Sequence, residues 1–98
     1  MDDAKTRNYV AAHADAVARG DMDAVVADLS EELHPQADEI ARLLPLPVDS
    51  AEVLSVEVGP DEAVSLIRYA GTDAEVTIRA RWQDRGDHPV MVGAEPVQ

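Results

Sequence analysis

The sequence predicts an α+β fold, with N-terminal helices packed on a curved four-stranded antiparallel meander sheet. Three observations point there. Apolar residues recur at helical spacing up to about residue 44, then at every second position from residue 51 onward. The change falls at Pro45-Leu46-Pro47, a stretch that ends a helix and makes a short extended connector. The clearest zigzag is Glu75-Val76-Thr77-Ile78-Arg79-Ala80-Arg81-Trp82. It puts Val76, Ile78, Ala80 and Trp82 on one side and the polar residues on the other, as a half-buried strand requires.

Each helix has its own signals. Residues 4–19 read as the first, capped by Asp2 or Asp3 and closed by Gly20. Tyr9, Val10, His13, Ala16 and Val17 form its buried stripe, and Arg7, Asp15 and Arg19 lie off it. Asp21 caps a second helix over 21–33, in which Met22, Val25, Val26 and Leu29 fall at i, i+3, i+4 and i+7. This helix either runs to about Leu33 or gives way to a new one capped at Ser30. Pro35 starts a third helix over 35–44, because proline fits a first turn and not an interior. Ala37, Ile40, Ala41 and Leu44 are its apolar face.

Four strands follow, over about 51–58, 63–70, 74–83 and 88–95. In the first, Leu54, Val56 and Val58 share a face. Gly59-Pro60-Asp61-Glu62 turns the chain into the second. Loop parity then decides which residues face the core. A two-residue Gly71-Thr72 turn brings Ile67 and Tyr69 beside Ile78 and Val76, whereas a three-residue loop brings in Leu66 and Arg68. The first is favoured, since burying Arg68 unpaired is costly. A three-residue Asp84-Arg85-Gly86 loop, with Gly86 left-handed, pairs Trp82 with His88 and Ala80 with Val90, and places Val90 and Val92 in the core.

Composition bounds the function. With 98 residues the chain is read as one domain, 1–98, with a modest core. Ordering a backbone costs roughly 1–2 kcal/mol per residue, which leaves a net stability of only about 5–15 kcal/mol. A large empty cavity is therefore not expected without a partner subunit. Twenty acidic and eight basic residues give a formal charge of −12, spread over both halves. Such a chain should be soluble and should repel nucleic-acid backbones and anionic membranes, so neither is expected as a partner. With no cysteine, disulfides, thiolate metal sites and cysteine nucleophiles are excluded. No signal peptide or membrane span is apparent, and a cytoplasmic location is the expectation. One lysine against seven arginines, with abundant Ala, Asp and Val, suggests a GC-rich bacterial genome.

Tyr9-Val10 through Ala16-Val17-Ala18-Arg19-Gly20-Asp21-Met22-Asp23-Ala24-Val25, and the final Trp82…Gly86…Val90 hairpin, carry a family pattern. On these residues nearly the whole chain resembles the NTF2-like (SnoaL-like, ketosteroid-isomerase-like) superfamily. The resemblance implies helices seated in the hollow of a curved, cystatin-like sheet to make a cone. It also implies a range of roles, from enzymes to binding modules and dimerisation domains, so it does not by itself give a function. The chain departs from the family in lacking the usual short hairpin between the second and third helices, which implies a smaller or more open pocket. Enzymes of this type use an aspartate base with a tyrosine and acid oxyanion hole. Asp38, Asp61 and Tyr9 are not assigned to those roles.

The candidate ligand-binding residues are Tyr9, His13, Trp82 and His88. His13 sits on the buried stripe four residues after Tyr9, either as a general base at a pocket mouth or as a core histidine bonded within the protein. Trp82 and His88, expected as neighbours across the last hairpin, either line a pocket or plug the sheet core. His13, His34 and His88 lack metal-type spacing, so no metal and no cofactor is expected. Asp38-Glu39 and Asp61-Glu62 read as solvated pairs. No nucleophilic serine motif or phosphate loop occurs. The outer sheet face, expected to carry Val53, Leu66, Arg68, Thr77, Arg79, Arg81 and Met91, mixes apolar residues with arginine and predicts a homodimer through it. The function expected is a non-catalytic domain that binds a small apolar ligand or a protein partner. The alternative is a SnoaL-like isomerase, cyclase or hydrolase using a His or Asp base in the cone pocket.

Overall fold

The computed structural model describes residues 2–45, 47–85 and 88–97. Helix α1 spans Asp3–Arg19, α2 Met22–Ala27 and α3 Ala37–Ala41, with a single 3₁₀ turn over His34–Gln36. Strands β1 (Ser50–Val58), β2 (Glu62–Ala70), β3 (Glu75–Asp84) and β4 (Pro89–Val97) form one antiparallel sheet in the order β1-β2-β3-β4. The helices pack on one face of this open sheet, with α1 lying chiefly against β1, so the architecture is α+β.

The caps explain where the helices begin and end. Asp2 accepts a hydrogen bond from the Lys5 N–H at 2.9 Å and holds the start of α1. Gly20 closes it at φ 75°, a left-handed conformation that a side chain resists. The Gly20 N–H donates to the Val17 carbonyl and the Asp21 N–H to the Ala16 carbonyl, which satisfies two orphan acceptors of the last turn. Asp21 then caps α2 by accepting from the Ala24 N–H at 3.2 Å. Val10, Ala14, Ala16 and Val17 bury the inner side of α1 together with Thr6 and His13.

Helix α2 stops at Ala27 instead of continuing through 33. The helical spacing of Leu29 is satisfied another way. Residues 28–30 straighten and pair with β4: the Met91 N–H donates to the Asp28 carbonyl, and the Ser30 N–H donates to the Met91 carbonyl, both at 2.8 Å. Leu29 is buried by that parallel bridge, not by a helix face. The third helix is likewise shorter than 35–44. Pro35 opens the 3₁₀ turn, and α3 ends at Ala41 in tight turns, three residues before the proline at 45 biases Leu44 out of helical geometry.

On the sheet, Ile67 faces Ile78 and Tyr69 faces Val76, so Ile67, Tyr69, Ile78, Ala80 and Trp82 point into the core and Arg68 points out. The β2–β3 turn achieves this with four residues, 71–74, not two; it keeps the even parity on which the inward set depends. Gly71 is required there, because a Cβ would stand 2.5 Å from the Pro45 carbonyl oxygen.

Three other expectations are corrected. In β1 the register shifts between Val53 and Ser55, leaving Leu54 as an unmatched, 45% exposed residue, so it does not share a face with Val56 and Val58. Val53 pairs with core-facing Ile67 and therefore does not belong to the outer face. In the last hairpin Trp82 pairs with Met91, not His88, and Ala80 pairs with Ala94, not Val90. The connection runs over 85–88, one residue longer than expected, and a bulge at Val92 adds a second shift. As a result Met91 is buried, while Val90 and Val92 are not. The expected left-handed Gly86 lies outside the described residues.

Candidate functional site

Between the sheet and the roof made by α2, α3 and their connector lies a cavity of about 160 Å³. Its floor is Ile67 and Tyr69 of β2, Ile78 and Ala80 of β3, and Met91 and Ala94 of β4; α1 contributes His13 and Val17. The roof contributes Met22, Val25 and Leu29 from one side and Ile40, Ala41 and Leu44 from the other. Among the described residues, His13, Asp38 and Tyr69 are the polar members of a lining of seventeen, so the wall is largely apolar. Neither α2 nor α3 contains a fully buried residue, although both carry the apolar spacing of a core-facing helix. Val25, Ala37 and Ile40 pack against the core while only partly buried, and they also border the cavity.

His13 is the polar feature that the fold constrains most. It is 4% exposed. Its Nδ1 lies 2.9 Å from Oδ2 of Asp28. A carboxylate only accepts, so the shared proton sits on Nδ1 and the imidazole is held in one orientation. Asp28 is fixed in turn by its carbonyl, which accepts from Met91 on the edge of β4. The His13 and Trp82 rings meet in a T-shaped arrangement, 5.3 Å between centroids and 84° between planes. Trp82 is fully buried, and its Nε1–H donates to Ser65 Oγ at 3.0 Å. Among the described residues Nε2 of His13 has no hydrogen-bond partner. His13 borders the cavity.

The four candidates are thus placed unequally. Tyr9 stacks on His88 at 5.4 Å and 8° between planes, half-buried at the surface, with His88 Nδ1–H donating to the Pro89 carbonyl at 2.9 Å. His13 and Trp82 meet one helical turn further along α1. Only His13 of the four borders the cavity; Trp82 plugs the core behind it. Sequence reasoning missed Asp28 as the partner of His13, because fifteen residues separate them and a continuous α2 conceals the approach. It also missed Tyr69 as a cavity residue, although it placed that side chain inward. Burial pushes the Tyr69 phenol above its ordinary value, so it stays protonated. Its hydroxyl has no hydrogen-bond partner among the described residues.

Outside the cavity, Arg85 donates to both carboxylate oxygens of Glu32 at 2.7 Å, which ties the roof connector to the last hairpin. This pairing, helped by a backbone N–H, brings the exposed Glu32 carboxyl down to about 2. Among the described residues no three His, Asp or Glu gather as a metal set would, and no helix is long and apolar enough to cross a membrane. Compared with protein-family models, with curated proteins and with solved structures, the chain has no significant match.

Proposed function

We propose that this chain is a non-catalytic binding domain of the NTF2-like type that takes a small apolar ligand between its helices and its sheet. The order of three helical segments and then a four-stranded meander supports the kinship. The observation that carries the binding reading is the cavity of about 160 Å³ with three polar residues in its wall. An engineered apolar cavity of about 150 Å³ is enough to bind benzene. At interior packing density the space here accepts a single ring with one or two substituents, about eight non-hydrogen atoms. The test is titration with p-xylene, followed by chemical shifts of Ile67 and Ile78 methyls and by thermal denaturation. Saturable shifts and a rise in Tm support the reading. No response up to the solubility limit overturns it.

One observation favours a second reading, a SnoaL-like isomerase, cyclase or hydrolase. His13, oriented by Asp28, has the form of a general base beside a largely apolar cavity. Chemical conversion of a bound compound, abolished in His13→Gln, would support it; unchanged recovery of every bound compound would dismiss it.

We further propose a homodimer through the outer sheet face. With Val53 and Met91 removed from it, this face still presents Val64, Leu66, Thr77 and Val90, half-buried among Arg68, Arg79 and Arg81. Arg68 pairs with Glu52 and Arg79 with Glu95, while Arg81 lies over Gly93 without an ion pair among the described residues. Arg79, Arg81 and Glu95 border an open groove of about 370 Å³. A two-fold axis across this face sets the same patch of each copy, Arg81 included, against the other. A sedimentation coefficient of a monomer at high micromolar concentration overturns the dimer.

A further inference from the structure

We propose that the cavity selects a small neutral ligand carrying one hydroxyl, which donates its hydrogen bond to Nε2 of His13. This rests on the apolar-ligand reading above and narrows it to a chemical class, a monocyclic phenol or alcohol.

The argument starts from the tautomer. Nδ1–H is committed to the Asp28 carboxylate at 2.9 Å, so in the neutral ring Nε2 carries a lone pair and can only accept. His13 is 4% exposed and belongs to a cavity wall that is otherwise nearly all apolar. An apolar ligand fills the space and leaves Nε2 without a partner, which is unfavourable for a buried polar atom. A hydroxyl on the ring of the ligand satisfies it. Tyr69, across the same cavity, remains protonated because its surroundings disfavour the phenolate, and it offers a second donor to a ligand oxygen.

Charge narrows the class further. The Asp28 carboxylate already stands beside the His13 ring, and the chain carries a formal charge of −12. A carboxylate or phosphate ligand brings a further negative charge to a largely apolar wall that holds Asp38 and, among the described residues, no Lys or Arg, which is disfavoured. The volume of about 160 Å³ matches a substituted ring.

The experiment compares p-cresol, p-xylene and p-toluate, which share a ring and a methyl group and differ at one position. Affinities are read from chemical-shift titration of the intact chain. A purely hydrocarbon cavity favours p-xylene over p-cresol by about tenfold or more, because the hydroxyl must shed water without recompense. An acceptor at Nε2 reverses that order. The expected result is p-cresol bound about threefold or more tighter than p-xylene, with p-toluate not bound. In His13→Phe the order returns to p-xylene first. Asp28→Asn, a milder change, frees the tautomer and shrinks the preference for p-cresol. If p-xylene binds the wild-type chain tighter than p-cresol, this inference fails while the apolar-ligand reading stands. If neither binds, both fail.

Discussion

Replacing Ala80 by valine should stabilise the free protein and impair ligand binding together. Ala80 is 2% exposed, faces inward between Ser65 and Ala94, and borders the cavity. Valine adds two carbons at a strand position that suits a β-branched side chain. At about 0.8 kcal/mol per buried carbon group, the gain is about 1.5 kcal/mol if both enter empty space. For a domain of this size that raises Tm by about 6–12 °C. Each added group takes roughly the share of one water, about 30 Å³, so about a third of the 160 Å³ disappears. Affinity for p-xylene should fall about tenfold or more. The assay is urea denaturation with an unchanged slope, paired with calorimetry and the p-xylene titration. A loss of 1–3 kcal/mol, the mark of overpacking, would show that the space beside Ala80 is already filled and would refute the cavity argument.

Three other outcomes follow from named contacts. Ser65→Ala leaves the buried Trp82 N–H without its 3.0 Å acceptor and should cost about 1–3 kcal/mol; in a double-mutant cycle with Trp82→Phe the two losses should add to less than their sum, and strict additivity would deny the bond. Gly20→Ala meets no atom within 4 Å but must hold φ 75°, so it should cost about 1–2 kcal/mol by equilibrium denaturation through backbone strain alone; a neutral result would remove the left-handed cap. Glu32 has its carboxyl lowered to about 2 from an ordinary 4.5, so its contribution is complete above 4.5 and is lost as pH falls toward 2. Carboxyl chemical shifts should report that low midpoint in the wild type and a return toward 4.5 in Arg85→Gln.

What the sequence revealed depended on whether a pattern was local. The αL glycine at 20, the Asp21 cap and the zigzag of 75–82 are settled within a few residues, and each was legible before any coordinates. The inward set Ile67 and Tyr69 was legible because its alternative buried Arg68. The last hairpin was misread because one added loop residue and one bulge at Val92 each reverse the side on which a residue lies, and neither leaves a compositional trace. The end of α2 was misread for a different reason. Leu29 obeys helical spacing, yet its burial comes from pairing with Met91, on a strand far along the chain. The site followed the same division. His13 was legible from its stripe, whereas Asp28, which orients it, depends on where the chain leaves α2. Tyr9 and His88 stack on each other at the surface, and Trp82 bonds Ser65, so three of the four candidates lie away from the cavity lining.

The two bulges also bear on how the chain avoids its own kind. An open sheet ends in strands whose unpaired N–H and C=O groups invite another ribbon to add on. Here both outermost strands are interrupted, at Leu54 in β1 and at Val92 in β4, and β4 is further blocked where residues 28–30 occupy both backbone groups of Met91. Neither margin offers a long, flat run for strand addition. Concentrated solutions should therefore resist fibril growth so long as the connector after α2 stays seated, and loosening that connector is the change expected to promote it.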